Sequence, residues 1–149
     1  MTEIAFYHLQ RSPLEKVLPR LLEKTLAAGK RALVLATSEE RVEALTTALW
    51  TYRPDSWLPH GSARDDYAED QPVWLATTED NPNGARFVFL TDGATSTRLG
   101  DFERCFDLFD GNDAAAVAAA RERWQAYKDQ GHTVTYWQES DRGGWEQKG

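Results

Sequence analysis

The chain has 149 residues, a length that suits one domain with its own hydrophobic core. Acidic residues outnumber basic ones by 24 to 17, and the net charge of −7 opposes binding to nucleic-acid phosphates, so we expect no tight direct DNA binding. The single cysteine excludes an internal disulfide, and no apolar run could span a bilayer, so we expect a cytoplasmic protein without membrane contact.

Strands and helices alternate along the sequence. Six apolar segments predict strands, in chain order residues 4–9, 31–36, 73–76, 86–90, 104–109 and 133–137. Apolar residues at helical spacing predict three helices, which begin at Ser12, Thr37 and Asp113. The polar stretch 61–71 predicts a loop. This order is typical of an α/β domain in which a mostly parallel, twisted sheet carries helices on both faces.

Local signals predict where the helices begin and end. Ser12, followed by Pro13 and then Glu15, is the expected N-cap of the first helix. Pro19 removes one backbone donor, so we expect a kink there or a helix that is regular only after it. Gly131 is the expected C′ residue of the last helix. Residues 1–138 are predicted to form the domain and residues 139–149 a loose C-terminal tail.

The turn after the first strand lacks a phosphate-binding signature. A Rossmann nucleotide site needs glycines there, and residues 8–12 contain none. His8, His60 and His132 are isolated and fit no catalytic or metal-binding spacing. We therefore predict a Rossmann-like fold without a phosphate-binding loop, no catalytic site, no metal and no cofactor. A small α/β enzyme or nucleotide-binding domain remains the alternative.

Two segments combine tryptophan with arginine. One leads from Trp50, near the end of the second helix, to Trp57. The other lies in the third helix, where Val117, Arg121 and Trp124 share a face because they are spaced by four and three residues. Such residues are either core aromatics beside solvated helix charges or a protein-binding hot spot. Spacing alone leaves both interpretations open, and an unrelated binding partner is a further alternative.

These segments, taken in order, resemble one family: the chi subunit of bacterial DNA polymerase III holoenzyme. The resemblance covers roughly residues 4–137 and is weak between residues 61 and 84. The segments that carry it are Phe6-Tyr7, Ala28-Gly29-Lys30-Arg31, Ala48-Leu49-Trp50, Ser56-Trp57-Leu58-Pro59-His60, Ala120-Arg121-Glu122-Arg123-Trp124, Tyr127 and Gly131.

The resemblance implies a non-catalytic adaptor. Chi-like proteins bind the acidic C-terminal tail of single-stranded DNA-binding protein (SSB) and link it, through the psi subunit, to the clamp loader. The positions that match the family's peptide-binding site are Trp50, Trp57, Val117, Arg121 and Trp124. The three tryptophans would hold the last Phe of the tail, and Arg121 would meet its carboxylate. Val117 replaces an expected basic residue, so Arg123 or Lys128 would have to compensate for the missing charge.

Overall fold

A computed structural model describes residues 2–51, 61–62, 71–78, 80–81, 83–140 and 144–148. These residues form eight strands: β1 Glu3–Leu9, β2 Ala32–Leu35, β3 Gly61–Ser62, β4 Val73–Ala76, β5 Phe87–Thr91, β6 Arg104–Asp110, β7 Thr133–Glu139 and β8 Trp145–Gln147. They also form three α-helices, α1 Leu14–Ala27, α2 Glu39–Thr51 and α3 Ala114–Asp129, and a 3₁₀ turn at Leu99–Asp101.

All eight described strands belong to one sheet, in the order β3-β4-β2-β5-β6-β1-β7-β8. Each neighbouring pair is parallel except β7 and β8, which are antiparallel. β1 therefore lies between β6 and β7, two strands that follow it by about a hundred residues. The predicted α/β fold with a mostly parallel sheet is confirmed.

The sheet buries an apolar core on each of its faces. Side chains alternate along β1, so that Ala5 belongs to the core on one face and Phe6 to the core on the other. α1 and α2 cover the first of these faces, to which they contribute Leu18 and Leu45. α3 covers the second face, to which it contributes Ala120 and Tyr127. The helices predicted for both faces are confirmed.

α1 differs from its prediction at its beginning. It starts after Pro13 without a side-chain cap, and the hydroxyl of Ser12 instead donates to Glu139. The prediction of Ser12 as the N-cap is therefore wrong. Pro19 lies inside the helix, buried, with helical residues on both sides of it. Gly29, at φ +76°, ends the helix as a glycine at C′ does.

The C-terminal residues contain a strand where a loose tail was predicted. β8 extends the sheet beyond β7, and the indole of Trp145 packs edge-on against the ring of Tyr7 with centroids 4.9 Å apart. Trp145 also contacts the core of the first face. The predicted tail is thus corrected for residues 144–148, because an aromatic anchor and backbone pairing with β7 hold them.

Glu139, at the end of β7, joins the far end of the chain to the β1–α1 turn. Its carboxylate accepts hydrogen bonds from the backbone N–H groups of Gln10, Arg11 and Ser12 at 3.1–3.3 Å. The hydroxyl of Ser12 donates to its other oxygen at 2.9 Å. Burial alone would raise the pKa of Glu139, but these four donors hold it below its usual value.

The polar stretch predicted as a loop is partly ordered as a strand. Gly61 and Ser62 form β3, which pairs in parallel with β4 at one edge of the sheet. Residues 63–70 lie outside the described residues. None of the helices in the described part of the chain is both long enough and apolar enough to cross a membrane.

Candidate peptide-binding site

α3 carries the residues from which the candidate site is built. Its N-cap is Asp113, whose carboxylate accepts from the N–H groups of Ala115 and Ala116. At its other end Gly131 has φ +88°, and the N–H of His132 bonds back to the carbonyl of Tyr127. The predicted start and end of this helix are confirmed.

One side of α3 presents a stripe of four residues: Val117, Arg121, Trp124 and Lys128. At about 100° per residue these positions fall within a sector of about 60°. The sector borders the buried side of the helix, where Ala120 is 1% exposed. Val117 and Trp124 are accordingly half-buried, whereas Arg121 and Lys128 are exposed. These four residues are called the α3 stripe.

Trp124 belongs both to the core and to the surface. Its indole packs edge-on against Phe6, with centroids 5.7 Å apart, and against Tyr136, at 5.9 Å. It nevertheless keeps part of its surface in solvent. Trp124 is therefore a core aromatic that remains partly accessible, and its role in binding stays a prediction.

Arg121 offers a positive charge that no described carboxylate neutralises. It forms no ion pair with any residue within the described ranges. Its neighbours are His8 on β1 and Tyr136 on β7. Burial lowers the pKa of His8 and the charge of Arg121 lowers it further, while burial raises the pKa of Tyr136 against the opposing effect of Arg121. The site is therefore locally positive.

His8 and Tyr136 are site neighbours that sequence reasoning missed. Nδ1 of His8 and the hydroxyl of Tyr136 form a hydrogen bond of 2.5 Å. They meet because β1 pairs with β7 in a register that sets Phe6 opposite Tyr136 and leaves His8 on the same face. A Cβ on Gly111 would collide with the ring of His8, so the imidazole occupies space that the glycine leaves open. No local sequence pattern indicates this contact.

Arg123 does not join the α3 stripe. Its guanidinium binds Asp107 on β6 through two hydrogen bonds, Nε to Oδ2 at 2.7 Å and a second one at 2.9 Å. The two side chains are only 12% and 1% exposed. The expectation that Arg123 supplies an auxiliary charge to a bound peptide is corrected, because its charge is already satisfied by a buried carboxylate.

Trp50 belongs to α2, which covers the first face of the sheet, whereas Trp124 belongs to α3 on the second face. The side chain of Trp50 and the whole of Trp57 lie outside the described residues. Their part in the peptide site therefore stays a prediction.

A cavity of about 430 Å³ opens elsewhere, at the carboxyl ends of β1 and β6. Three of its charged groups are paired with each other: Arg41 contacts Asp92 at 2.7 Å and Glu15 at 3.2 Å. No group of His, Cys, Asp and Glu side chains among the described residues could hold a metal ion.

Comparison with known proteins identifies the family. Residues 1–135 match the profile of "DNA polymerase III chi subunit, HolC". The "Probable DNA polymerase III subunit chi" of Rickettsia prowazekii is 28% identical over 109 residues, which cover 71% of this chain and 66% of that protein. The DNA polymerase III subunit chi of Escherichia coli is 26% identical, with 83% and 84% covered, and that of Pseudomonas aeruginosa 26%, with 90% and 94%. The chain therefore belongs to the DNA polymerase III chi subunit family and has an accessory role in DNA replication.

Proposed function

We propose that this protein is a non-catalytic adaptor of the DNA polymerase III holoenzyme. It binds the acidic C-terminal tail of SSB on the α3 stripe and links SSB to the clamp loader through psi. The peptide site consists of Val117, Arg121 and Trp124, with Lys128 further along the same stripe. Arg123 has no part in it, since its guanidinium is paired with Asp107.

The observation that carries the proposal is the exposed guanidinium of Arg121 beside the half-buried indole of Trp124. A guanidinium binds a terminal carboxylate through two parallel hydrogen bonds. An apolar surface next to it, made by Trp124 and Val117, can receive a terminal Phe ring, whose burial contributes about 2–3 kcal/mol. Capture of a chain-terminal carboxylate is an established mode of peptide recognition.

Lys128 provides the second positive charge of the site. It lies about 10 Å beyond Arg121 along the helix axis and on the same side of α3. An acidic peptide that runs along the stripe would reach both cations. Because both are exposed, their attraction is screened by salt, and we expect the affinity to fall as ionic strength rises.

The link to the clamp loader requires a second surface. A bound peptide on α3 occupies the second face of the sheet near β1 and β7. A psi subunit can therefore bind at the same time only at a place away from the α3 stripe. This part of the proposal rests on membership of the chi family and on the resemblance described above.

Titration with a short acidic peptide that ends in Phe, followed by tryptophan fluorescence, tests the site. We expect a dissociation constant in the micromolar range. Arg121→Ala should weaken binding about tenfold to a hundredfold, because a hydrogen-bonded charge contributes about 1.5–3 kcal/mol. Arg20→Ala, which removes an exposed arginine from α1 on the first face, is the matched control and should bind normally. A scrambled acidic peptide that binds equally well would refute the assignment.

A further inference from the structure

The direction of the hydrogen bond between His8 and Tyr136 depends on the tautomer and the charge of the imidazole. Tyr136 has a single hydroxyl proton. When His8 is neutral and its Nδ1 accepts, that proton is used in the bond between the two side chains. When His8 is protonated, Nδ1 donates to the tyrosine oxygen, and the hydroxyl proton becomes free to donate to another acceptor.

The ring of Tyr136 contacts the α3 stripe, and its hydroxyl contacts His8. The ring of Tyr136 packs against Trp124 of the α3 stripe, with centroids 5.9 Å apart. The charge of Arg121 acts on both His8 and Tyr136. Tyr136 thus contacts the α3 stripe about one helical turn from Arg121, and its hydroxyl is the candidate second donor to an anion held there.

We propose that a peptide carboxylate bound at Arg121 is also bound by the hydroxyl of Tyr136, and that His8 takes up one proton from solvent when this happens. The inference rests on the proposed function and adds to it a dependence of tail affinity on pH. It also assigns Tyr136 as a binding residue and His8 as its positioning residue.

Charged groups from each neighbouring element determine the direction of the effect. In the free protein, burial and Arg121 on α3 lower the pKa of His8, while the backbone of Gly111 and the carboxylate of Asp110 on β6 raise it. A carboxylate bound at Arg121 offsets the positive charge of the guanidinium and so raises the pKa of His8. The complex then binds more protons than its free components, and affinity must rise as pH falls.

The experiment is a titration of the full chain with an acidic peptide that ends in Phe, at constant ionic strength between about pH 5 and pH 8. The carboxylates of the peptide stay ionised over most of this range. We expect the dissociation constant to fall about threefold to tenfold from the upper to the lower pH, because each unit of pKa shift corresponds to about a tenfold change. Calorimetry in buffers of different ionisation enthalpy should show proton uptake.

Variants of the two residues distinguish this coupling from a general electrostatic effect. Tyr136→Phe and His8→Phe should each bind with the weak affinity of the high-pH state and lose the pH dependence. His132→Gln is the matched control, because His132 precedes β7 at the opposite end of the strand, and it should keep the dependence. The same peptide with a C-terminal amide should bind weakly at every pH.

The outcomes separate this inference from the proposed function. Absence of peptide binding at every pH overturns both. Binding that needs Arg121 but has the same affinity at pH 5 and pH 8 overturns only the coupling to His8. A Tyr136→Phe variant that keeps the full pH dependence also overturns the coupling to His8. If His8→Phe does not fold, the result with Tyr136→Phe alone tests the coupling.

Discussion

Arg121 and Arg123 lie two positions apart on α3 and have opposite surroundings. Arg121 is exposed, while Arg123 reaches under the helix to a carboxylate on β6. Helical spacing predicts that they lie on different sides of α3, but it does not indicate which side meets the sheet. That information depends on Asp107, which is 1% exposed in the middle of a strand. Helical spacing therefore indicated Arg121 as a residue of the peptide site, but it could not exclude Arg123 from that site.

Removal of the Arg123 side chain should destabilise the fold. Arg123→Ala leaves the carboxylate of Asp107 buried without its partner, a change that typically costs about 3–5 kcal/mol. Burial already raises the pKa of Asp107, against the opposing effect of Arg123, and without the guanidinium the pKa should rise further. The folded variant would then bind more protons than its unfolded state, so its deficit in unfolding free energy should shrink as pH falls.

Urea denaturation of Arg123→Ala at several pH values measures this deficit. Arg20→Ala is the control, since it removes an exposed arginine and should change the unfolding free energy by less than about 0.5 kcal/mol. The folded variant should still bind the tail peptide. A deficit that stays constant from pH 7 to pH 5 would contradict the role assigned to Asp107.

The regular elements could be predicted because apolar periodicity reports burial directly. α3 and the continuous apolar strand β2 agree with their predictions to within one or two residues. The ends of the helices and strands were harder to predict from the sequence, because side chains far away along the chain determine them. Ser12 has the residue type of an N-cap, yet its hydroxyl bonds Glu139, 127 positions away. β8 was missed because its single anchor, Trp145, follows a glycine-rich segment.

Neutralisation of Glu139 should loosen the β1–α1 turn. Glu139→Gln weakens or removes hydrogen bonds from Gln10, Arg11 and Ser12 to a charged acceptor, and we expect a loss of about 1–3 kcal/mol at pH 7. Because the folded state lowers the pKa of Glu139, its contribution is present above the usual value of 4.5 and is lost as pH falls through the folded pKa.

Denaturation curves of the wild-type protein and Glu139→Gln should therefore differ at pH 7 and converge as the pH falls below the folded pKa of Glu139. Amide hydrogen exchange should be faster in the variant at residues 10–12. Glu146→Gln changes an exposed carboxylate on neighbouring β8 and is the matched control, for which we expect neither effect. Equal exchange rates in all three proteins would contradict this role of Glu139.

At the scale of the whole molecule, topology decides which aromatic residues can act together. The helices that carry Trp50 and Trp124 lie on opposite faces of the sheet, since α2 packs on the first face and α3 on the second. The spacing of residues within a helix does not indicate which face of the sheet that helix covers. The pairing of β1 with β7, which creates the contact between His8 and Tyr136, is equally non-local. The resemblance identified the family, and only the fold could select the residues that share a surface.

The overall charge predicts how the protein behaves towards DNA. With a net charge of −7, it should not bind a fluorescently labelled single-stranded oligonucleotide more tightly than about 100 μM at physiological salt. Fluorescence anisotropy measures this directly. In the presence of SSB the same oligonucleotide should bring the protein into a complex, and Arg121→Ala should prevent it. Micromolar binding to the oligonucleotide alone, weakened steeply by salt, would contradict the electrostatic argument.

The carboxylate of Glu139 binds the turn between the first strand and the first helix, the place that holds phosphate in nucleotide-binding Rossmann folds. This anion is covalently attached to the protein, so its effective concentration at the turn is in the millimolar range or higher. A dissolved phosphate or nucleotide must therefore compete with the Glu139 carboxylate for the N–H groups of this turn. The donors of this turn are thus satisfied by a carboxylate of the chain's own β7.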